Sequence, residues 1–168
     1  DAAARKVMSE HVTQQVSLTP KFNSHVEFEF KPTFIKAISG LWLLVAGRDP
    51  FAEIYSIHTL RRARVIQTEG RVLCAQGTRQ YCAVGLANKE IHFYSVKQFE
   101  LVKTVQTLQP PTTMCLLQDK FLVYGLGDEG YGCIFLKEDF RTFESNSGKE
   151  KYKRSVAKTA MLPSFGQD

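Results

Sequence analysis

The sequence contains no apolar run long enough for a membrane span and no helical periodicity. Its longest apolar stretch, residues 41–46, is six residues long, whereas a membrane-spanning helix needs about 20. Apolar residues also do not recur at the three- and four-residue spacing of an amphipathic helix. We therefore expect a chain that does not cross a bilayer and is not built from helices.

Cysteine is present but follows no pattern. The four cysteines form no C-x-x-C pair, and the sequence has no N-x-S/T sequon. Three of the cysteines lie inside apolar runs, which favours buried free thiols in a reducing, cytoplasmic compartment. Cys74 and Cys115 occupy similar places, after Leu73 and Met114, and we expect both to be small core residues.

A targeting segment is also absent. The chain begins at Asp1, and no charged start followed by an apolar stretch comes next. We therefore expect a piece of a longer chain. Residues 2–8 include several helix formers without a nearby partner, which predicts a short helix or a frayed tail.

Patterns for catalysis or metal binding are missing as well. The histidines have no second ligand at metal spacing, so we expect no metal at His11, His25, His58 or His92. No G-x-S-x-G elbow positions a nucleophile. We therefore expect no catalytic residue, no cofactor and no enzymatic activity.

One string matches a nucleotide fingerprint. Residues 125–130 read G-x-G-x-x-G directly after an apolar run. A dinucleotide site needs a helix to begin at the last glycine, but residues 131–136 read as a strand. Asp128 and Glu129 would also repel phosphates. We predict an elongated hairpin turn at this place.

The composition is that of an ordinary globular domain. Of the 168 residues, 43% are hydrophobic, and 22 basic against 17 acidic side chains give a net charge of +5. This is enough apolar material for a core. The mild positive charge does not by itself indicate a nucleic-acid partner.

The sequence also contains a repeat of about 40 residues. Three seven-residue segments share one apolar pattern and begin at Ile54, Phe93 and Ile134, which are 39 and 41 residues apart. Three apolar runs that each end in glycine, at positions 47, 85 and 125, keep steps of 38 and 40 residues. Two independent markers thus indicate a repeat architecture.

Two features of the repeat are less regular. The marker Ile-Gln-Thr at 66–68 recurs as Val-Gln-Thr at 105–107, but the third unit has polar residues instead, so we expect a polar loop at 144–148. Trp42 lies in the most apolar run and is expected in the core. We place its equivalents in the later units at Gln80 and Lys120.

Within each unit, short runs rich in Val, Ile, Phe and Tyr alternate with turn residues, which predicts strands. In the middle unit we predict strands at 71–75, 80–85, 90–96 and 100–108. Four short antiparallel strands in each unit of about 40 residues are typical of a β-propeller blade.

Over residues 34–148, the chain resembles WD40 and WD40-like β-propellers. Residues 54–60, 93–99 and 134–140 lie where such a repeat has its third strand and the following turn. No Gly-His pair opens a unit, and the Trp-Asp dipeptide that would end the third strand is replaced by Tyr55-Ser56, Tyr94-Ser95 and Phe135-Leu136. The exact family therefore stays open, with citron-homology domains, vesicle-tethering subunits and Roco-kinase C-terminal domains as alternatives.

The resemblance implies an all-β fold, a partial β-propeller of about three four-stranded antiparallel blades with flanking strands. We divide the chain into a tail with a strand of a neighbouring blade or sheet (1–33), three blades (34–69, 70–109, and 110–154 with a basic loop) and the start of a further blade (155–168). Strict alternation over residues 25–31 places Val26, Phe28 and Phe30 on one face of the first flanking strand. Three blades do not close a ring, so the remaining blades of a longer chain, or a second copy, would complete it.

The resemblance also implies a rigid scaffold that binds other proteins and assembles a complex in trafficking or signalling. Because connecting loops commonly bind partners, we nominate exposed turn residues for partner contact: Arg48, Phe51, Asn88, Lys89, Asp128 and Tyr131. Phe51 and Tyr131 are the expected anchors, since aromatic side chains dominate binding hot spots.

The basic segment 149–158 has two interpretations. It is either a solvated loop between blades or a docking strip, through Lys151, Lys153 and Arg154, for an acidic protein, a phosphoinositide or RNA. The second interpretation makes the chain a binder of nucleic acid or anionic lipid.

Overall fold

The computed structural model describes residues 25–146, and its regular elements are twelve β-strands and one short 3₁₀ turn, Gly127–Glu129. The strands are β1 (Phe34–Ile38), β2 (Trp42–Ala46), β3 (Phe51–Ser56), β4 (Arg62–Gln67), β5 (Val72–Gly77), β6 (Tyr81–Leu86), β7 (Glu90–Ser95), β8 (Leu101–Gln106), β9 (Thr113–Leu117), β10 (Phe121–Gly125), β11 (Gly130–Phe135) and β12 (Arg141–Asn146). Our predictions for residues 2–8, 149–158 and 155–168 lie outside the described residues. No helix in the described range is long and apolar enough to span a membrane.

The strands form three sheets of four, each antiparallel and in sequence order: β1–β4, β5–β8 and β9–β12. We call these blades 1, 2 and 3. The all-β prediction is confirmed, and the strands predicted for the middle unit agree with β5–β8 within two residues at each end. Short runs of β-branched and aromatic residues separated by turn residues explain this agreement.

The turns between the third and fourth strands repeat in conformation. Each ends in a large residue with positive φ: Leu60 at 53°, Phe99 at 53° and Phe140 at 56°. In blades 1 and 2 the N–H of this residue donates to a serine carbonyl, Ser56 or Ser95, at 2.8 Å. A left-handed residue of this size is uncommon, so its recurrence indicates that the three turns are equivalent.

The blades are arranged side by side around their first strands. Residues of β1 and β5 approach each other, as do residues of β5 and β9. Ser39 Oγ, just after β1, donates to Thr78 O, just after β5, at 2.8 Å. At the other end, Cys74 Sγ near the start of β5 donates to Pro111 O, just before β9, at 3.4 Å. The three inner strands therefore run in the same direction, as in a propeller.

The core consists of two layers, one between each pair of adjacent blades. The layer between blades 1 and 2 includes Leu44, Ile54, Val84 and Tyr94. The layer between blades 2 and 3 includes Phe93, Leu122 and Ile134. Successive residues Phe93 and Tyr94 thus face opposite neighbours, because side chains alternate along a strand. The outer strands β4 and β8 are mostly exposed.

The hairpin pairing corrects the repeat step. At the same end of each hairpin, Trp42 pairs with Ser56, Tyr81 with Ser95, and Phe121 with Phe135, so the steps are 39 and 40 residues. The marker that begins at Ile54, Phe93 and Ile134 is therefore displaced by one residue in blade 3. The glycine marker at positions 47, 85 and 125 is displaced by one residue in blade 1. Placing the equivalents of Trp42 at Gln80 and Lys120 is also wrong by one residue. Tyr81 and Phe121 are the true equivalents, so an aromatic residue begins the second strand of every blade.

The flanking strand predicted at residues 25–31 is not a strand in the structure. The predicted alternation is correct, since Val26, Phe28 and Phe30 are half-buried and their neighbours are exposed. The segment packs by side chains instead. Phe28 contacts Tyr55 and Phe30 contacts Phe51, with ring centroids 5.6 and 5.1 Å apart. The segment therefore covers the face of blade 1 that points away from blade 2. It does not belong to a neighbouring sheet.

Two further predictions for blade 3 need correction. The loop expected at 144–148 is wrong for residues 144–146, because these belong to β12 and Glu144 pairs with Gly132; residues 147 and 148 lie outside the described residues. Backbone pairing does not need apolar side chains, so polar composition misleads here. Cys115 is exposed, unlike the buried Cys74. Cys115 pairs with Val123 in β10 and lies on the face of blade 3 that points away from blade 2.

Candidate functional site

One end of the propeller gathers the loops that the sequence nominates for binding. Because the inner strands run in the same direction, the hairpins β2–β3, β6–β7 and β10–β11 all lie at one end. The blade connections β4–β5 and β8–β9 lie at this end too. We call this end the hairpin rim, and the end with the other turns the opposite rim.

The structure brings six nominated residues to the hairpin rim from all three blades. Arg48, Asn88, Lys89 and Asp128 are exposed in the hairpins. Phe51 and Tyr131 lie at the hairpin ends, as the first residue of β3 and the second of β11. Lys151, Lys153 and Arg154 lie outside the described residues.

The two nominated aromatic anchors differ in environment. Tyr131 is 46% exposed. Phe51 is half-buried, and its ring lies edge-on against Phe30 with centroids 5.1 Å apart. Tyr131 is therefore the aromatic side chain on this rim with more surface to offer a partner.

The glycine-rich string at 125–130 forms a hairpin, as predicted. Leu126 N–H donates to Gly130 O at 2.9 Å. The turn places Gly127 at φ +63°, where a side chain would be strained. Because β11 begins at Gly130, no helix N-terminus is available for a phosphate.

A hydrogen-bonded network that the sequence analysis missed lies on the same rim, between blades 1 and 2. His92 is buried, with 3% exposure. Its Nε2 lies 2.8 Å from Glu90 Oε2, and its Nδ1 lies 3.1 Å from Tyr94 Oη. Amide groups hold the Glu90 carboxylate, since Gln106 Nε2 donates at 2.7 Å and Asn88 Nδ2 at 3.2 Å. The bond from His92 is the main cause that lowers the pKa of Glu90.

Glu69 brings a second carboxylate to this network. It lies in the β4–β5 connection with φ +60°. One ligand atom from each of Glu69, Glu90 and His92 lies within 4.8 Å of the others. The spacing of Glu90 and His92, two residues apart in a strand, is the sequence signal for a shared face. The approach of Glu69 could not be read from spacing, because it depends on how blades 1 and 2 pack.

The corresponding place between blades 2 and 3 has different chemistry. Tyr124 Oη donates to Glu144 Oε1 at 2.7 Å, and Leu108 N–H lies 3.2 Å from Glu144 Oε2. Leu108 corresponds to Glu69, because Thr68 and Thr107 precede them and make the same 2.7 Å bond to the carbonyl two residues on. Burial raises the pKa of Glu144 and that of Tyr124.

The opposite rim shows the aromatic contacts between blades. Trp42 Nε1 donates to Val96 O of blade 2 at 3.0 Å, and its ring lies edge-on against Phe99 at 5.5 Å. Tyr81, the equivalent of Trp42, contacts Phe140 of blade 3 at 5.2 Å. A pocket of about 190 Å³ remains beside Tyr81 and Leu136.

Comparisons with solved structures support the fold. The chain superposes on the RRP9 WD40 repeats with a TM-score of 0.62 and 15% identity, covering 68% of this chain and 38% of that one. For the Myceliophteria thermophila Cps50 (Swd1) β-propeller domain the TM-score is 0.58 at 12% identity, with 68% and 38% covered. For Kuenenia stuttgartiensis hydrazine synthase it is 0.61 at 12% identity, with 74% and 39% covered.

These likenesses concern the fold only. The chain spans less than two fifths of each of those proteins. No protein-family model matches the sequence, and no curated protein matches it. The chain has a WD40-like β-propeller fold, consisting of three four-stranded blades in the described range.

Proposed function

We propose that this chain is a non-enzymatic scaffold that binds other proteins through its hairpin rim and helps to assemble a complex. The observation behind this proposal is the placement of six nominated residues from three blades on one rim. Fold alone does not determine function, so the proposal depends on this surface. We further propose a cytoplasmic role in trafficking or signalling, with the four reduced cysteines as support.

The chemistry of the rim suits a protein partner. Arg48, Lys89 and Asp128 present charges of both signs on the same rim as the exposed ring of Tyr131. An aromatic anchor surrounded by polar groups is typical of protein interfaces. The hairpins are short and are held by packed blades, so little conformational entropy is lost when a partner binds.

The absence of enzymatic activity is also part of the proposal. The one buried histidine in the described range, His92, has both ring nitrogens next to protein groups, Glu90 and Tyr94. A general base needs a free nitrogen within reach of a substrate proton. Since hydrazine synthase shares this fold, the fold itself does not separate scaffolds from enzymes.

The proposal can be tested by crosslinking the 168-residue chain in cell extract and identifying partners by mass spectrometry. We expect the double variant Lys89→Glu, Tyr131→Ala to lose at least tenfold of the captured partner, because it reverses a charge and removes the aromatic anchor. The control is Lys97→Glu, Lys120→Glu, which changes exposed charges on the opposite rim and should leave capture unchanged. Equal capture by the wild type and the rim variant would refute the proposal.

Two changes to this experiment, a higher salt concentration and substitutions in the basic segment, test the alternative of a nucleic-acid or anionic-lipid binder. Binding through the basic segment 149–158 would weaken steeply as salt rises. It would also be lost when Lys151, Lys153 and Arg154 are changed to glutamate. The scaffold proposal predicts capture that survives both changes.

A further inference from the structure

The group formed by Glu69, Glu90 and His92 contains more negative charge than its surroundings balance. Two carboxylates approach one buried imidazole. In the described part of the chain, no lysine or arginine forms an ion pair with Glu69 or Glu90. The polar groups that hold Glu90, besides His92, are the neutral amides of Asn88 and Gln106.

The Nδ1 nitrogen of His92 has a hydrogen-bond partner of the kind that orients a metal-binding histidine. Tyr94 Oη lies 3.1 Å from His92 Nδ1 and donates its own proton to Gln67 O at 3.5 Å. With that proton used, Tyr94 accepts a hydrogen bond from Nδ1–H. Nε2–H donates to Glu90, and a bound metal ion would displace that proton and take the Nε2 lone pair. Metal-binding histidines almost always donate their other N–H to a carboxylate, a backbone carbonyl or a water, and Tyr94 Oη is the oxygen in that position here.

At the equivalent place between blades 2 and 3, protein donors form hydrogen bonds with the carboxylate. There a single carboxylate, Glu144, accepts hydrogen bonds from Tyr124 and from Leu108 N–H. Leu108 has no ligand atom to offer in its side chain, and Gly132 stands where blade 2 has His92. Within residues 25–146, the group of two carboxylates and one imidazole thus occurs at the junction of blades 1 and 2 and not at that of blades 2 and 3.

We propose that Glu69, Glu90 and His92 bind a divalent transition metal ion, with Zn²⁺ as the expected ion. One imidazole and two carboxylates form a ligand set that zinc accepts, with water as a fourth ligand. Tetrahedral ligands at zinc distances lie about 3.4 Å apart. The distance between His92 Nε2 and Glu90 Oε2, which is 2.8 Å, therefore has to increase slightly when the ion binds. The exposed carboxylate of Glu69 has to move inward.

A bound ion would join the connection that leaves blade 1 to the third strand of blade 2. It would stabilise the junction of the blades, because binding to the folded state alone raises stability by mass action. This inference is independent of the proposed scaffold function.

The test uses the 168-residue chain, stripped of metal with a chelator and titrated with Zn²⁺ alone. We expect one site of micromolar or tighter Kd and a rise in Tm on zinc addition. Glu69→Gln should weaken binding at least tenfold and abolish the Tm rise, while the metal-free Tm stays unchanged because Glu69 is exposed. Glu129→Gln, an exposed carboxylate elsewhere on the hairpin rim, is the matched control and should bind as the wild type does.

Co²⁺ substitution excludes binding by cysteine. The proposed site gives d–d absorption without a thiolate charge-transfer band, since none of its ligands is sulfur. The proposal is overturned if no site tighter than about 100 μM is found, if Glu69→Gln binds like the wild type, or if the cobalt spectrum shows thiolate ligation. His92→Gln should also lose binding, and Glu69→Gln remains decisive if the buried substitution prevents folding.

Discussion

Between blades 1 and 2, Trp42 donates to a main-chain carbonyl of the next blade. Between blades 2 and 3, the equivalent Tyr81 lies against the Phe140 ring and beside a pocket, and its hydroxyl makes no hydrogen bond within the described residues. The two junctions also differ on the hairpin rim. There the Glu144 carboxylate at the 2–3 junction accepts from Tyr124 Oη and Leu108 N–H, while the 1–2 junction brings two carboxylates close to His92. The same backbone repeat therefore accommodates different side-chain contacts at its two junctions.

The largest expected effect is at the junction of blades 2 and 3. A Cβ at Gly132 would overlap the Tyr124 ring, which its bond to Glu144 holds in place. We expect Gly132→Ala to destabilise the fold by about 3 kcal/mol, because overpacking a filled site forces strain. Chemical denaturation measures this loss.

A double-mutant cycle identifies the cause. In a Tyr124→Leu background the ring is absent, so adding Gly132→Ala should cost less than about 1 kcal/mol. An equal cost in both backgrounds would show that the effect does not come from contact with Tyr124.

A smaller effect should distinguish the two junctions at the opposite rim. Trp42→Phe keeps an aromatic ring against Phe99 but leaves Val96 O without its donor, so we expect a loss of about 2 kcal/mol. Tyr81→Phe removes a hydroxyl that makes no hydrogen bond within the described residues and should change stability by less than about 0.5 kcal/mol. Equal losses in the two variants would contradict the difference between the junctions.

The smallest effect is a pH dependence of the junction between blades 2 and 3. Burial raises the pKa of Glu144 above 4.5, although the bonds from Tyr124 and Leu108 lower it. A raised pKa in the folded state means that the folded state binds the proton more strongly. The contribution of Glu144 to the free energy of unfolding is therefore fully present below pH 4.5 and is lost as pH rises through the raised pKa.

The matched variant for this pH effect is Glu144→Gln. The difference in unfolding free energy between wild type and variant should change with pH in that window, with the wild type gaining on acidification. A difference that does not change with pH, or that changes with the opposite sign, would rule out a raised pKa.

The sequence was sufficient for the architecture because the signals for it are local. Alternating apolar residues and turn residues predicted the strands of blade 2 within two residues. The same local signal predicted the burial of Val26, Phe28 and Phe30. It failed to show that their segment lacks a ladder partner, since backbone pairing depends on the neighbouring chain.

The contacts between blades could not be predicted in the same way. Tyr94 reaches Gln67 across 27 positions, and Glu144 reaches Leu108 across 36. One-residue errors in the repeat step also reverse the face on which a side chain lies. Because the equivalents of Trp42 were placed one residue too early, the aromatic residue that begins the second strand of each blade was not recognised.

The packing of successive blades is tested most directly through Trp42, the only tryptophan in the chain. Its indole N–H gives a single resonance in the NMR spectrum, and we would measure the nuclear Overhauser effects from that proton. We predict cross-peaks to the Phe99 ring and to protons around Val96, which is 54 positions away. A folded chain whose indole proton shows cross-peaks only to residues of blade 1 would contradict the packed-blade structure.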